Sequence, residues 1–116
     1  MIDAVDDATF DAIVIAADTP VLVEFGAAWC PPCRMLAPVL EDIASERAER
    51  VRVVTLDVDA NPVTQTRYGV MSLPTLLLFH RGSPVRQVVG YTSKATLLRV
   101  VDETLDAIHA APSPAA

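Results

Sequence analysis

Short β-branched runs alternate along this chain with segments of helical period, and turn signals separate the two kinds of segment. That alternation is the pattern of parallel strands joined by helical crossovers, so it predicts an α/β fold. Residues 2–5 read as a short first strand. Asp6 or Asp7 can cap a following helix that carries Phe10, Ile13, Val14 and Ala17 on one face. Pro20 begins a strand that runs through Gly26. Residues 31–48 form the longest helical pattern, with Leu36, Leu40 and Ile43 at spacings of four and three and Pro38 inside it as an expected kink. Residues 51–58 read as the next strand. Asn61 and Pro62 look like an N-cap and a proline at the first helical position, opening a brief helix to about Arg67 that Tyr68-Gly69 closes. Residues 75–80 and 84–90 are strands whose link, Arg81-Gly82-Ser83, is short enough to demand an antiparallel hairpin. Ser93 caps a last helix with Leu97, Val101, Leu105 and Ile108 along one side.

A chain of 116 residues has room for one domain with a continuous core, expected over residues 1–110, followed by a disordered tail at 111–116 containing Pro112 and Pro114. Its apolar runs stay under ten residues, which leaves nothing to span a bilayer as a helix. The first seven residues are acidic and unlike a secretory signal, so the expectation is a cytoplasmic protein. A formal charge of -6, with nine Lys and Arg scattered along the chain, argues against a nucleic-acid partner.

The residues that carry chemistry are in Trp29-Cys30-Pro31-Pro32-Cys33. Two cysteines separated by two residues, directly after an apolar strand and opening a helix, suit a dithiol that cycles between reduced and oxidised forms. A helix N-terminus presents unpaired N–H groups and a positive dipole end, which favour a thiolate at Cys30. Cys33, nearly one helical turn on, can attack a mixed disulfide at Cys30 and resolve it. Two other readings exist. A structural disulfide closing so short a loop would contribute only about 2 kcal/mol. A zinc site would need further ligands, and the two histidines, His80 and His109, show no ligand spacing and read as surface residues.

The run Val21-Leu22-Val23-Glu24-Phe25-Gly26-Ala27-Ala28-Trp29-Cys30, the Cys-x-Pro-Cys core and Ser72-Leu73-Pro74-Thr75 resemble the thioredoxin family. Asp57-Val58-Asp59-Ala60-Asn61-Pro62, Tyr68-Gly69-Val70 and Val88-Val89-Gly90 extend the likeness, which covers about residues 2–109. The resemblance implies a thioredoxin fold, a central mixed sheet of about five strands flanked by about four helices. It implies a protein-disulfide reductase in which Cys30 attacks and Cys33 resolves, with no cofactor bound and a redox-active Cys30–Cys33 disulfide. It also implies a cis bond before Pro74 and main-chain pairing of Leu73 with an extended substrate segment. Trp29, Pro32, Val70, Leu73, Pro74, Gly90 and Tyr91 match the family's substrate-binding surface, where Gly90 would admit close backbone approach. Glu24 interrupts an apolar strand and occupies the place of the family's buried aspartate, which implies a proton acceptor for Cys33, usually through water. Thioredoxin reductase, drawing on NADPH, and disulfide-containing proteins are the implied partners, and a monomer is the default.

Several departures from the family pattern matter. Pro31 replaces the usual glycine between the cysteines, removing an N–H and stiffening the turn, so Pro31 and Pro32 together should tune the redox balance. Thr55 stands where the family commonly has a lysine near the buried acid, which predicts a raised pKa for Glu24. Gly26 replaces a frequent tryptophan, and Tyr91 adds an aromatic where small residues are common. The rival functions are a disulfide oxidase or isomerase on the same fold, and a partner-binding or chaperone module in which the dithiol is incidental.

Overall fold

The computed structural model describes residues 2–110, and the expected tail at 111–116 lies outside the described residues. Five strands form one mixed sheet in the order β1-β3-β2-β4-β5, where β1 is Asp3–Val5, β2 Val21–Gly26, β3 Arg52–Asp57, β4 Thr75–His80 and β5 Ser83–Val89. β3 runs parallel to both β1 and β2, whereas β4 is antiparallel to β2 and β5. The helices are α1 (Pro31–Glu46), α2 (Pro62–Arg67) and α3 (Lys94–Ala110), with a π-helical segment at Asp11–Ile15. The expected α/β fold, five strands and four helical segments are therefore present.

β2 lies at the centre, and all six of its residues are buried. Side chains alternate across a strand. Val21, Val23 and Phe25 accordingly join one core with Phe10, Val14, Val54, Leu56, Leu77 and Phe79, against which Tyr68 packs. Leu22 faces the other core, built from Val53, Leu76 and Leu78 with Leu36, Leu40 and Ile43 of α1 and Leu97, Val101 and Leu105 of α3. Glu24 and Gly26 share the parity of Leu22, so they point to the side covered by α1. A carboxylate thus occupies the sheet's most protected strand. β5 is the exposed edge, where Pro84 costs no central ladder bond.

Local chemistry explains the elements and the places where they depart from expectation. The segment after β1 is π-helical because its amide bonds reach five residues back, as from Ala16 N–H to Asp11 O at 2.9 Å. The register still buries Phe10 and Val14 on one side. α1 runs unbroken through Pro38 and stops at Glu46, before the expected residue 48. There Arg47 turns its guanidinium onto Asp102 of α3, donating at 2.7 and 2.9 Å to the two carboxylate oxygens. The link between β4 and β5 has two residues, Arg81 and Gly82, both at positive φ, which matches the twist of a tight hairpin. Ser93 caps α3 as expected, its Oγ accepting from Thr96 N–H at 3.2 Å.

α2 is capped differently from the sequence expectation. Asn61 makes no side-chain cap; its Oδ1 accepts from Asp7 N–H at 2.8 Å, and its amide donates to Asp57 O at 3.0 Å. Asp7 supplies the cap from 57 residues away, its carboxylate accepting from Thr64 N–H at 2.8 Å, Thr64 Oγ1 at 2.7 Å and Val63 N–H at 3.2 Å. These bonds, led by the Thr64 hydroxyl, hold the Asp7 carboxyl below its ordinary 3.8. Since the ionised form is the one bonded, the stability this cap supplies is present above that ordinary value and disappears as pH falls through the lowered one. Asp7→Ala should speed amide hydrogen exchange at Thr64 while leaving Val54 in the central sheet unchanged, a contrast that NMR exchange measurements can read.

Candidate active site

β2 ends at Gly26, and four residues later Cys30 takes an extended conformation as the N-cap of α1. Pro31 and Pro32 fill the first two helical positions, where no intrahelical N–H is needed and the fixed φ suits the turn. The first free amide is that of Cys33, and it donates to Cys30 Sγ at 3.3 Å. This corrects the simplest view of Pro31. The amide that faces the sulfur comes from the third helical position, as N-cap geometry requires, so the N–H that Pro31 lacks is not the one aimed at Cys30 Sγ. Cys30 and Cys33 are joined as a disulfide with their Cα atoms 5.3 Å apart. Both residues are nearly covered, at 3% and 7% exposure, so exposure does not distinguish them. The amide bond to Cys30 does.

The peptide bond between Leu73 and Pro74 is cis. Gly90, at φ +87, donates its N–H to Pro74 O at 2.7 Å, which ties the end of β5 to the loop that carries the cis bond. Glycine is needed there for its backbone angle; the space where a Cβ would point holds no atom within 4 Å. Trp29 is 63% exposed and fixed in direction by its Nε1–H, which donates to Asp59 Oδ2 at 2.6 Å. Tyr91 is also exposed, while Pro32 and Leu73 are half-buried. Val70 is buried in the core instead, and the neighbouring Met71 is 91% exposed. Asp59, which orients Trp29, and the exposed Met71 are candidates that the sequence did not single out. An aspartate two residues past a strand carries no local sign of its tryptophan partner. His80 and His109 lie at the end of β4 and in the last turn of α3, and no cluster of metal-binding side chains occurs among the described residues.

Glu24 is 7% exposed and its Oε2 is buried without a hydrogen-bond partner. Its strand neighbours in register are Thr55 of β3 and Leu76 of β4, neither of which supplies a positive charge. Burial therefore pushes its carboxyl from the ordinary 4.5 up to about 7. The position that a Cβ on Gly26 would occupy is 3.3 Å from Cys33 Sγ and 3.4 Å from both Glu24 Cδ and Oε2. The acid and the second sulfur thus approach one another across a glycine. An acid with a pKa near neutrality beside a thiol is suited to exchanging a proton with it.

The thioredoxin family model matches residues 1–103. Thioredoxin of Mycobacterium tuberculosis is 50% identical over 101 residues, covering 87% of each chain. That of Alicyclobacillus acidocaldarius is 54% identical over 91 residues, 78% of this chain and 86% of that one. A Mycobacterium leprae protein named bifunctional thioredoxin reductase/thioredoxin is 48% identical over 101 residues, 87% of this chain but 22% of its own length.

Two titrations follow from Glu24. The folded state holds its proton up to about pH 7, whereas the unfolded chain releases it near 4.5, so stability is fully present below 4.5 and falls as pH rises through 7. Wild type should lose roughly 3 kcal/mol relative to Glu24→Gln across that interval, measured by denaturant unfolding. Thr55→Lys places an ammonium beside the acid and should bring its pKa, followed by carbon-detected NMR, back toward 4.5. With a redox-active cysteine pair at the start of α1 and a family model spanning most of its length, this chain belongs to the thioredoxin family of protein-disulfide oxidoreductases.

Proposed function

We propose that the chain reduces protein disulfides with Cys30 as nucleophile, Cys33 as resolving thiol and Glu24 as the proton acceptor for Cys33. The observation that carries this reading is the Cys33 N–H aimed at Cys30 Sγ, because a donor there stabilises negative charge on that sulfur and on no other. The Cys30 thiolate attacks one sulfur of a substrate disulfide; that S–S bond breaks, and the other substrate sulfur leaves as a thiolate that takes a proton from water. Cys33 passes its proton to Glu24 and attacks Cys30 Sγ. The mixed disulfide breaks, the second substrate thiolate departs, and the Cys30–Cys33 disulfide remains.

The docking surface in this reading comprises Trp29, Pro32, Leu73, Pro74, Gly90 and Tyr91. Met71 replaces Val70 as the exposed side chain of its loop. Leu73 would pair through its backbone with an extended substrate segment, a short form of strand addition that reads main chain and so tolerates many sequences. The redox group is the disulfide itself. Return to the dithiol requires two electrons and two protons from a reductase, for which a thioredoxin reductase supplied by NADPH is the fitting donor; the fused reductase and thioredoxin named in the Mycobacterium leprae relative supports that pairing. No described helix is long and apolar enough to cross a membrane. A monomer working in the cytoplasm fits this chemistry, since reducing compartments keep such a dithiol charged with electrons.

Replacing each residue tests its role. Cys30→Ser should abolish reduction of a protein disulfide, and unchanged turnover would refute the nucleophile. Cys33→Ser should accumulate covalent mixed disulfides through Cys30, visible by mass spectrometry. Glu24→Gln should leave the first attack intact while slowing resolution about a hundredfold at neutral pH.

A further inference from the structure

A cavity of about 230 Å³ lies over Glu24 on the side covered by α1. Its floor is Glu24, Gly26 and Cys33, all buried, and its rim includes Ala28, Arg34 and Asp57, all exposed, so it reaches from the acid to solvent. At about 30 Å³ of liquid per molecule it has room for several waters. Glu24 lines it together with Thr55, Asp57 and Arg34, which gives such waters the polar partners they need. The lining comes from β2, α1, β3 and the turn between β2 and α1. The docking residues Leu73, Pro74, Gly90 and Tyr91 flank the opposite edge of β2, toward β4 and β5.

We propose that this cavity is a water-filled proton port, opening between α1 and β3, through which Glu24 returns its proton to solvent while a docked protein covers the dithiol, and that Gly26 keeps it open. The proposal rests on Glu24 as proton acceptor and adds the route. In the resolving step the Cys33 S–H bond breaks and a Glu24 O–H bond forms; the carboxyl then gives that proton to water in the port, which carries it to the rim. Gly26 is a positioning residue. Any side chain there would begin 3.3 Å from Cys33 Sγ and 3.4 Å from Glu24 Oε2 and would grow into the cavity floor. Ala27, Ala28 and Ala37 keep the remaining walls short. The titratable and charged groups facing Glu24 are Cys33 and Arg34 from α1 and Asp57 from β3, while β4 presents Leu76 and α3 presents Leu97 and Val101 to that layer.

The test compares two substrates in single-turnover measurements of the resolving step: insulin, which covers the dithiol, and the small disulfide dithiobis-nitrobenzoate, which leaves it open to water. Gly26→Leu should slow resolution of the insulin mixed disulfide about tenfold more than it slows that of the small substrate at neutral pH, with an increased solvent deuterium effect on insulin alone. Gly26→Ala, a single methyl at the same point, should show the same selectivity in smaller measure and serves if the leucine variant does not fold. In a Glu24→Gln background neither change at Gly26 should slow insulin further. Equal losses on both substrates, or additive losses in the double variant, would overturn the port. A slow Glu24→Gln with Gly26 variants at wild-type rates would overturn the port and leave the acceptor standing, whereas a wild-type rate in Glu24→Gln would remove both.

Discussion

The burial of β2 is the constraint on which the rest of the structure depends. Flanked by β3 on one side and β4 on the other, with helices over both faces, it has no exposed residue. Its odd positions feed one core and Leu22 the other, so shifting its register by a single residue would exchange the two faces and send each set of side chains into the core built for the other. The same burial strips most of the solvent from Glu24 and gives it no charge partner in register, which is why its carboxyl is pushed up to about 7. The end of β2 then delivers the chain to the N-terminus of α1. One strand thus sets the positions of the acid, the glycine and the two sulfurs.

Division of labour between the cysteines follows from that delivery. With Pro31 and Pro32 at the first two helical positions, the start of α1 has few donors to offer, and the Cys33 amide is spent on Cys30. Cys33 has no such donor in the described hydrogen bonds, but it has a carboxyl across Gly26. In the proposed mechanism one sulfur is poised as an anion by a fixed dipole, and the other depends on an acid to take its proton at the moment it must attack. The Gly90–Pro74 bond ties the end of β5 to the loop that carries the cis peptide.

Much of this was legible in the sequence because its signals are local. The helix start at Pro31, the hairpin at Arg81-Gly82, the Ser93 cap and the interruption of an apolar strand by Glu24 each sit within a few residues of the chemistry they announce. What escaped depends on pairs distant in the chain. Asp7 capping α2 spans 57 residues, and Trp29 is steered by Asp59, 30 residues on. Nothing near Asp7 distinguishes it from Asp6, which caps its own turn by accepting from Thr9 N–H at 2.8 Å. The cavity escaped for another reason: it is made by what Gly26 and three alanines omit, and by a register that sets Glu24 beside Thr55. Val70 and Met71 are both apolar, and only the fold distinguishes the buried one from the exposed one.

The central claim is that α1 makes Cys30, and not Cys33, the attacking sulfur. Alkylation of the fully reduced protein by iodoacetamide across pH, with each labelled cysteine identified by peptide mass spectrometry, measures this directly. Cys30 should react first, with an apparent pKa below the ordinary thiol value of about 8.5, and Cys33 only at higher pH. Preferential labelling of Cys33, or equal labelling of both with ordinary thiol titrations, would contradict the account.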